Sequence, residues 1–307
     1  MKGLFFDGKN LSYSENLPCP VPNFDEALIK VKFSAICNTD REIIKGYKNF
    51  RGILGHEFIG VVVESKQTSL IGQRVVGELN IGCGQCDYCK SGLEKHCKSR
   101  KALGITGYDG CFAEYITLPN RLIHPVPSSL ADNVAIYCEP LAAAINAVEQ
   151  ARLALSDSVL ILGDGRLAYM IYCALVSHSN DITVLGHSAS KLDNFKQYAT
   201  ACTFTEREFD VVFEATGASN GIIYALSHVK SGGRVVLKST TAENVTLNMS
   251  QVVVNEITII GSRCGNFEKA LTLLQTNKLP LPKIELYSLS NFEQAFNSKA
   301  FKVGFFD

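Results

Sequence analysis

Cys83, Cys86, Cys89 and Cys97 stand two, two and seven residues apart in the stretch GCGQCDYCKSGLEKHC. Four thiolates this close in a polar, glycine-bearing loop can close a tetrahedron around zinc. An iron–sulfur cluster is the rival, but in its cysteine run the third gap is short and a proline follows. Here that gap is seven residues and Lys98 follows, which favours zinc. Four protein ligands leave no open position, so this zinc would be structural. A second group is Cys37-Asn38-Thr39-Asp40 with Gly55-His56-Glu57. A catalytic zinc takes about three protein ligands and keeps one position open, and a thiolate and an imidazole on two loops make a start. Taken singly, such a cysteine is more often core and such a histidine a satisfied side chain.

A third group is the turn Gly163-Asp164-Gly165-Arg166-Leu167-Ala168, which follows the apolar run Val159 to Leu162. It fits G-x-G-x-x-[G/A]: a tight turn, a close approach to a pyrophosphate, and a small residue for helix–strand packing. The helix that follows offers N–H groups and a positive dipole end to phosphate. An acid about 20 residues on would bind the ribose 2′-hydroxyl of NAD. The second strand ends instead in Val184-Leu185-Gly186-His187-Ser188, and Asp181 precedes it. With no acid at that end, and with His187, Ser188 and Lys191 nearby, the sequence leans to NADP over NAD, although no arginine is there.

Two kinds of segment must position these residues. The first part is β-rich: Ala27 to Ile36, Phe58 to Val63, Arg74 to Gly77 and Phe112 to Leu118 read as strands separated by Pro and Gly. From Glu139 the texture becomes alternating. Helical stretches such as Glu139 to Gln150 and Leu167 to Val176 interleave with apolar strands such as Val159 to Leu162 and Val211 to Glu214. That alternation means a parallel sheet covered on both faces. The expected fold class is therefore α/β plus β, with domains at 1–138, 139–276 and a C-terminal return at 277–307.

The 307 residues carry 30 basic and 30 acidic side chains, a balance that argues against a nucleic-acid binder. No run approaches a membrane span or a signal peptide, so a cytoplasmic location is expected. The 11 cysteines then need a purpose other than disulfides.

Asp109-Gly110-Cys111-Phe112-Ala113-Glu114-Tyr115, Glu139-Pro140-Leu141 and Glu214-Ala215-Thr216-Gly217 complete an ordered set with the motifs above. In these residues the sequence resembles the zinc-dependent medium-chain alcohol dehydrogenases, in the branch with polyol, threonine and sugar dehydrogenases, as a shortened member. The resemblance implies a GroES-like β-barrel catalytic domain and a Rossmann domain with a doubly wound parallel sheet. It implies Cys37 and His56 as catalytic-zinc ligands, Glu139 as the third ahead of Cys138, and Glu57 as a carboxylate able to approach the metal. Asp40 would orient His56, and Thr39 would pass the alcohol proton toward solvent. Gly163, Asp164, Gly165, Arg166, Leu167, Gly186, His187, Ser188, Lys191 and Thr216 would form the cofactor site. The implied reaction is hydride transfer between an alcohol and NAD(P) through a zinc-bound alkoxide, with two zincs per chain in a homodimer or homotetramer. The alternatives are a zinc-independent quinone or enone reductase using NADPH and a non-enzymatic cofactor-binding scaffold.

Overall fold

The computed structural model of the chain describes residues 1–176, 178–179, 181–241, 243–276 and 278–306. Two units emerge: Met1–Glu139 with Phe267–Asp307, and Pro140–Asn266. The helix Phe267–Gln275 groups with the first unit, although its place in the sequence suggested the second. Local packing explains this: the His124 ring stacks on Phe267 at 5.3 Å, and the Cys138 thiol donates to the Phe267 carbonyl.

The first unit is built on a mixed sheet whose central strand is Glu26–Ala35. The strand Glu57–Ser65 pairs with it antiparallel on one side, and the C-terminal strand Lys302–Phe306 on the other. Apolar residues of these strands meet Phe112, which packs edge-on against Phe305 at 5.0 Å. Burying each such side chain contributes roughly 1.5–3 kcal/mol. The register decides what comes next. Glu57, Ala35 and Gly304 lie in one row across three strands. The chain leaving Ala35 therefore runs beside the chain entering Glu57, and that brings Cys37 to His56.

The second unit holds six parallel strands: Thr200–Cys202, Ile182–Leu185, Val159–Leu162, Phe209–Glu214, Val229–Leu237 and Thr258–Gly261. Numbered along the chain, their spatial order is 3-2-1-4-5-6, the doubly wound dinucleotide-binding order. Strand order reverses beside Val159–Leu162, where such sheets bind ligands. All four residues of that strand are buried, as a strand covered on both faces should be. The helix Arg166–Leu175 covers the sheet, and Tyr169, Tyr172 and Phe195 pack under it with centroids 5.1–5.3 Å apart. The expected fold class, β-rich unit plus doubly wound sheet, is the observed one. No helix among the described residues is long and apolar enough to cross a membrane.

Candidate active site

Cys37 caps the helix Asn38–Ile44, and Asp40, three residues on, accepts a hydrogen bond from the Cys37 N–H at 2.8 Å. This is the reach-back half of a capping box. It fixes Asp40, which is fully buried, against His56: Asp40 Oδ1 lies 3.4 Å from His56 Nδ1. One ligand atom each from Cys37, His56 and Glu57 falls within 4.8 Å of the others. Burial pushes the His56 imidazolium pKa down, but the Asp40 and Cys37 charges outweigh it, so in the metal-free chain the pKa stands well above the ordinary value. His56 Nδ1 and Asp40 Oδ1 are both buried without a hydrogen-bond partner. A thiolate, an imidazole and a carboxylate at such a point are a donor set that suits zinc, so the residues fit the metal. Asp40→Asn should weaken zinc binding here by about 10–100-fold, the usual loss when a partner of a ligating histidine is removed. Chelator competition would read this, and an unchanged affinity would leave Asp40 with a capping role only.

Glu57 has a partner that the sequence did not reveal. Lys302 Nζ, on the C-terminal strand, donates to Glu57 Oε2, and both side chains are buried. A lone lysine inside the apolar run Phe301 to Phe306 was the available signal. Thr39 Oγ1 accepts from Cys37 Sγ at 3.7 Å, beside the cluster. Glu139, expected as the third ligand directly or through water, stands in the first turn of Cys138–Ala151, outside the group of three whose ligand atoms lie within 4.8 Å of one another. The carboxylate brought to Cys37 and His56 is that of Glu57. Burial pushes the Cys138 thiol pKa well up, and the thiol donates to the Phe267 carbonyl at 3.6 Å.

The Asp109-Gly110-Cys111-Phe112 segment clamps the His56 loop. Asp109 accepts from the Ile53 N–H at 2.9 Å, and Cys111 N–H donates to the Gly55 carbonyl at 2.9 Å. Gly110 has to be glycine, because a Cβ there would lie 2.2 Å from the Gly55 oxygen.

The four sulfurs of Cys83, Cys86, Cys89 and Cys97 also lie within 4.8 Å of one another. Backbone N–H groups of Gln85 and Cys86 hold the Cys83 thiol down at about 6, whereas desolvation and neighbouring thiols push Cys89 up to about 12. So many thiolates need a cation to ionise together, and taking up a metal must release protons. Glu94 ties the lobe down: it accepts from the Gly82 N–H at 2.8 Å and from Arg121 Nε at 2.7 Å.

In the second unit, Gly163 has φ +120°, and a Cβ on it would lie 2.7 Å from the Ala215 carbonyl oxygen. Gly165 caps the helix Arg166–Leu175, and a Cβ on it would meet nothing within 4 Å. An open space at a helix N-terminus suits a pyrophosphate. Arg166 and Leu167 open that helix. Thr216 hydrogen-bonds through both its N–H and its hydroxyl to the buried Glu214 carboxylate, which shapes the Thr216–Gly217 loop. Gly186, His187, Ser188 and Lys191 sit after the second strand. There the structure adds what the sequence reading missed: the Asp164 carboxylate reaches them from the turn.

Comparisons with known proteins agree with this arrangement. The alcohol dehydrogenase GroES-like domain matches residues 23–128 and the zinc-binding dehydrogenase domain residues 180–276. A D-arabitol-phosphate dehydrogenase of Enterococcus avium is 30% identical, over 92% of this chain and 89% of its own. A sorbitol dehydrogenase of Halalkalibacterium halodurans is 26% identical, over 92% of this chain and 90% of its own. A zinc-binding dehydrogenase from Sinorhizobium meliloti, solved with NADP, superposes with a TM-score of 0.90 at 25% identity, covering 100% of this chain and 99% of that one.

Proposed function

The chain belongs to the zinc-dependent medium-chain alcohol dehydrogenase family, and from that premise we propose that it transfers a hydride between a polyol, sugar or similar secondary alcohol and NAD(P). It is an NAD(P)-dependent alcohol dehydrogenase, and both family domains and the polyol dehydrogenase relatives speak against the quinone-reductase and scaffold readings. The observation that carries the reading is the convergence of Cys37, His56 and Glu57 within 4.8 Å in a chain that also carries the open glycine turn.

When bound, zinc supplies a Lewis acid that lowers the pKa of a hydroxyl, and the nicotinamide supplies the hydride chemistry. The protein's part is position and charge. Cys37, His56 and Glu57 hold the catalytic metal. Asp40 keeps the His56 ring oriented. Thr39, beside the Cys37 sulfur, takes the proton of the substrate hydroxyl outward. Gly163 makes the tight turn, Gly165 lets the backbone approach the cofactor's pyrophosphate, and Thr216 lies beside the same turn. Cys83, Cys86, Cys89 and Cys97 hold a second, structural zinc, giving two per chain. The lean to NADP rested on a missing acid after the strand Ile182–Leu185, and Asp164 removes that ground. A homo-oligomer is part of the proposal: Thr258–Gly261 is an edge strand, and Val253 and Val254 nearby in sequence are 74% and 78% exposed.

The test is a panel of polyols, sugars and amino alcohols with NAD⁺ and NADP⁺, each with and without a zinc chelator. Oxidation of a secondary alcohol that the chelator stops is expected. Reduction of quinones or enones that the chelator leaves unchanged would overturn the proposal.

A further inference from the structure

We propose that Asp164, in the middle of the glycine turn, selects the cofactor, making this chain prefer NAD(H) to NADP(H). The inference rests on reading the turn as a dinucleotide site and adds which dinucleotide it takes.

In the doubly wound sheet the acid that meets the adenosine ribose ordinarily stands at the end of the second strand. Here that place is Gly186, which is buried and follows Leu185 directly. The acid comes from elsewhere. Asp164 Oδ2 accepts from the N–H of His187 at 2.9 Å and of Ser188 at 2.8 Å. A Cβ placed on Gly186 would lie 2.8 Å from that same Oδ2. The Asp164 carboxylate thus fills the space that an acid on residue 186 would start from. Glycine at 186 is the vacancy that admits it.

Three consequences follow for a cofactor seated on the turn. The N–H groups of His187 and Ser188, otherwise donors for a 2′-phosphate, are already spent on a carboxylate. Lys191, a nearby cation suited to phosphate, has its Nζ 3.7 Å from Asp164 Oδ1, so its charge is already partly answered. That distance is too long for a hydrogen bond, and Oδ1 keeps lone pairs for a ribose hydroxyl. The Asp164 side chain is only 14% exposed, so a phosphate beside it would meet a poorly screened like charge. A 2′-hydroxyl would find an acceptor, and a 2′-phosphate would find repulsion.

The experiment is titration of the purified protein with NADH and with NADPH, followed by nicotinamide fluorescence, for the wild type and two variants. The wild type should bind NADH at least about tenfold more tightly than NADPH, the scale of one misplaced charge. Asp164→Asn should lower that ratio by about tenfold or more, chiefly by improving NADPH. Asp164→Gly combined with Gly186→Asp should restore the NADH preference: a Cβ on residue 186 would lie 2.6 Å from the Asp164 Cβ, so glycine at 164 makes the room and the acid returns from the neighbouring position. A merely structural Asp164 would weaken both cofactors equally and leave the ratio unmoved, and that result overturns the proposal. So does a wild type that binds NADPH as tightly as NADH or more tightly, while the dinucleotide site itself stands. Binding of neither cofactor would overturn the site and this inference together.

Discussion

Replacing Cys37 with Ser, or His56 with Ala, is expected to cut alcohol turnover by about 10²–10³-fold, the scale lost when one preorganised charge stabiliser is removed. Both residues act at a point where three dissimilar donors converge within 4.8 Å and where His56 is 3% exposed. Losing the thiolate or the imidazole leaves fewer ligands than a catalytic zinc takes. The glycine turn belongs to the other unit, so NADH binding should persist with its wild-type affinity. Steady-state kinetics, cofactor titration and far-UV circular dichroism on the same preparations separate the cases. Turnover within tenfold of wild type would contradict the assigned ligands. Loss of cofactor binding and of the dichroism signal together would mean the variant had unfolded, and Thr39→Ala, expected to lower turnover while sparing zinc content, then carries the test.

Cys97→Ser should produce the largest stability effect of any single cysteine. Cys97 is 5% exposed, and its sulfur accepts the Cys83 N–H at 3.4 Å, so it belongs to the lobe's interior as well as to its ligand set. A closed four-thiolate zinc site contributes folding free energy outright. A loss of several kcal/mol in a chain of this length lowers the melting temperature by at least about 5 °C, from ~2.1 cal/mol/K per residue. Protease sensitivity should rise within residues 82–98, where the backbone bonds are short-range turns and Glu94 on Arg121 is a side-chain anchor to the rest of the unit. Calorimetry and limited proteolysis would check both. An unchanged melting temperature with unchanged cleavage would mean the sulfurs hold no structural metal.

What the sequence disclosed depended on how far apart the partners lie. The four lobe cysteines and the glycine turn are local patterns, so spacing alone was enough to read them. Cys37 and His56 were legible as residue types, but their meeting needed the pairing of Glu26–Ala35 with Glu57–Ser65. Lys302 reaches Glu57 across 245 positions, a distance over which no local pattern exists. Asp164 was visible as a member of the turn, yet its side chain bonds His187 23 positions on, and only the backbone path shows that. Glu139 was carried in by resemblance, and no local pattern ties it to Cys37 and His56. Short elements were the hardest to read. The edge strand Thr200–Cys202 has too few residues to show alternation, and the segment before it breaks into the short helix Ala189–Leu192 and a tighter turn at Asp193–Phe195. Burial of Leu192 and of Phe195, the latter against Tyr169 and Tyr172, decides that break over helix propensity.

The most direct test of the account is zinc per chain by elemental analysis, on wild type and Cys37→Ser purified side by side without chelator. The account predicts two zincs in the wild type and one in the variant, the remaining ion being held by Cys83, Cys86, Cys89 and Cys97. A single zinc in the wild type, or two in Cys37→Ser, would contradict it.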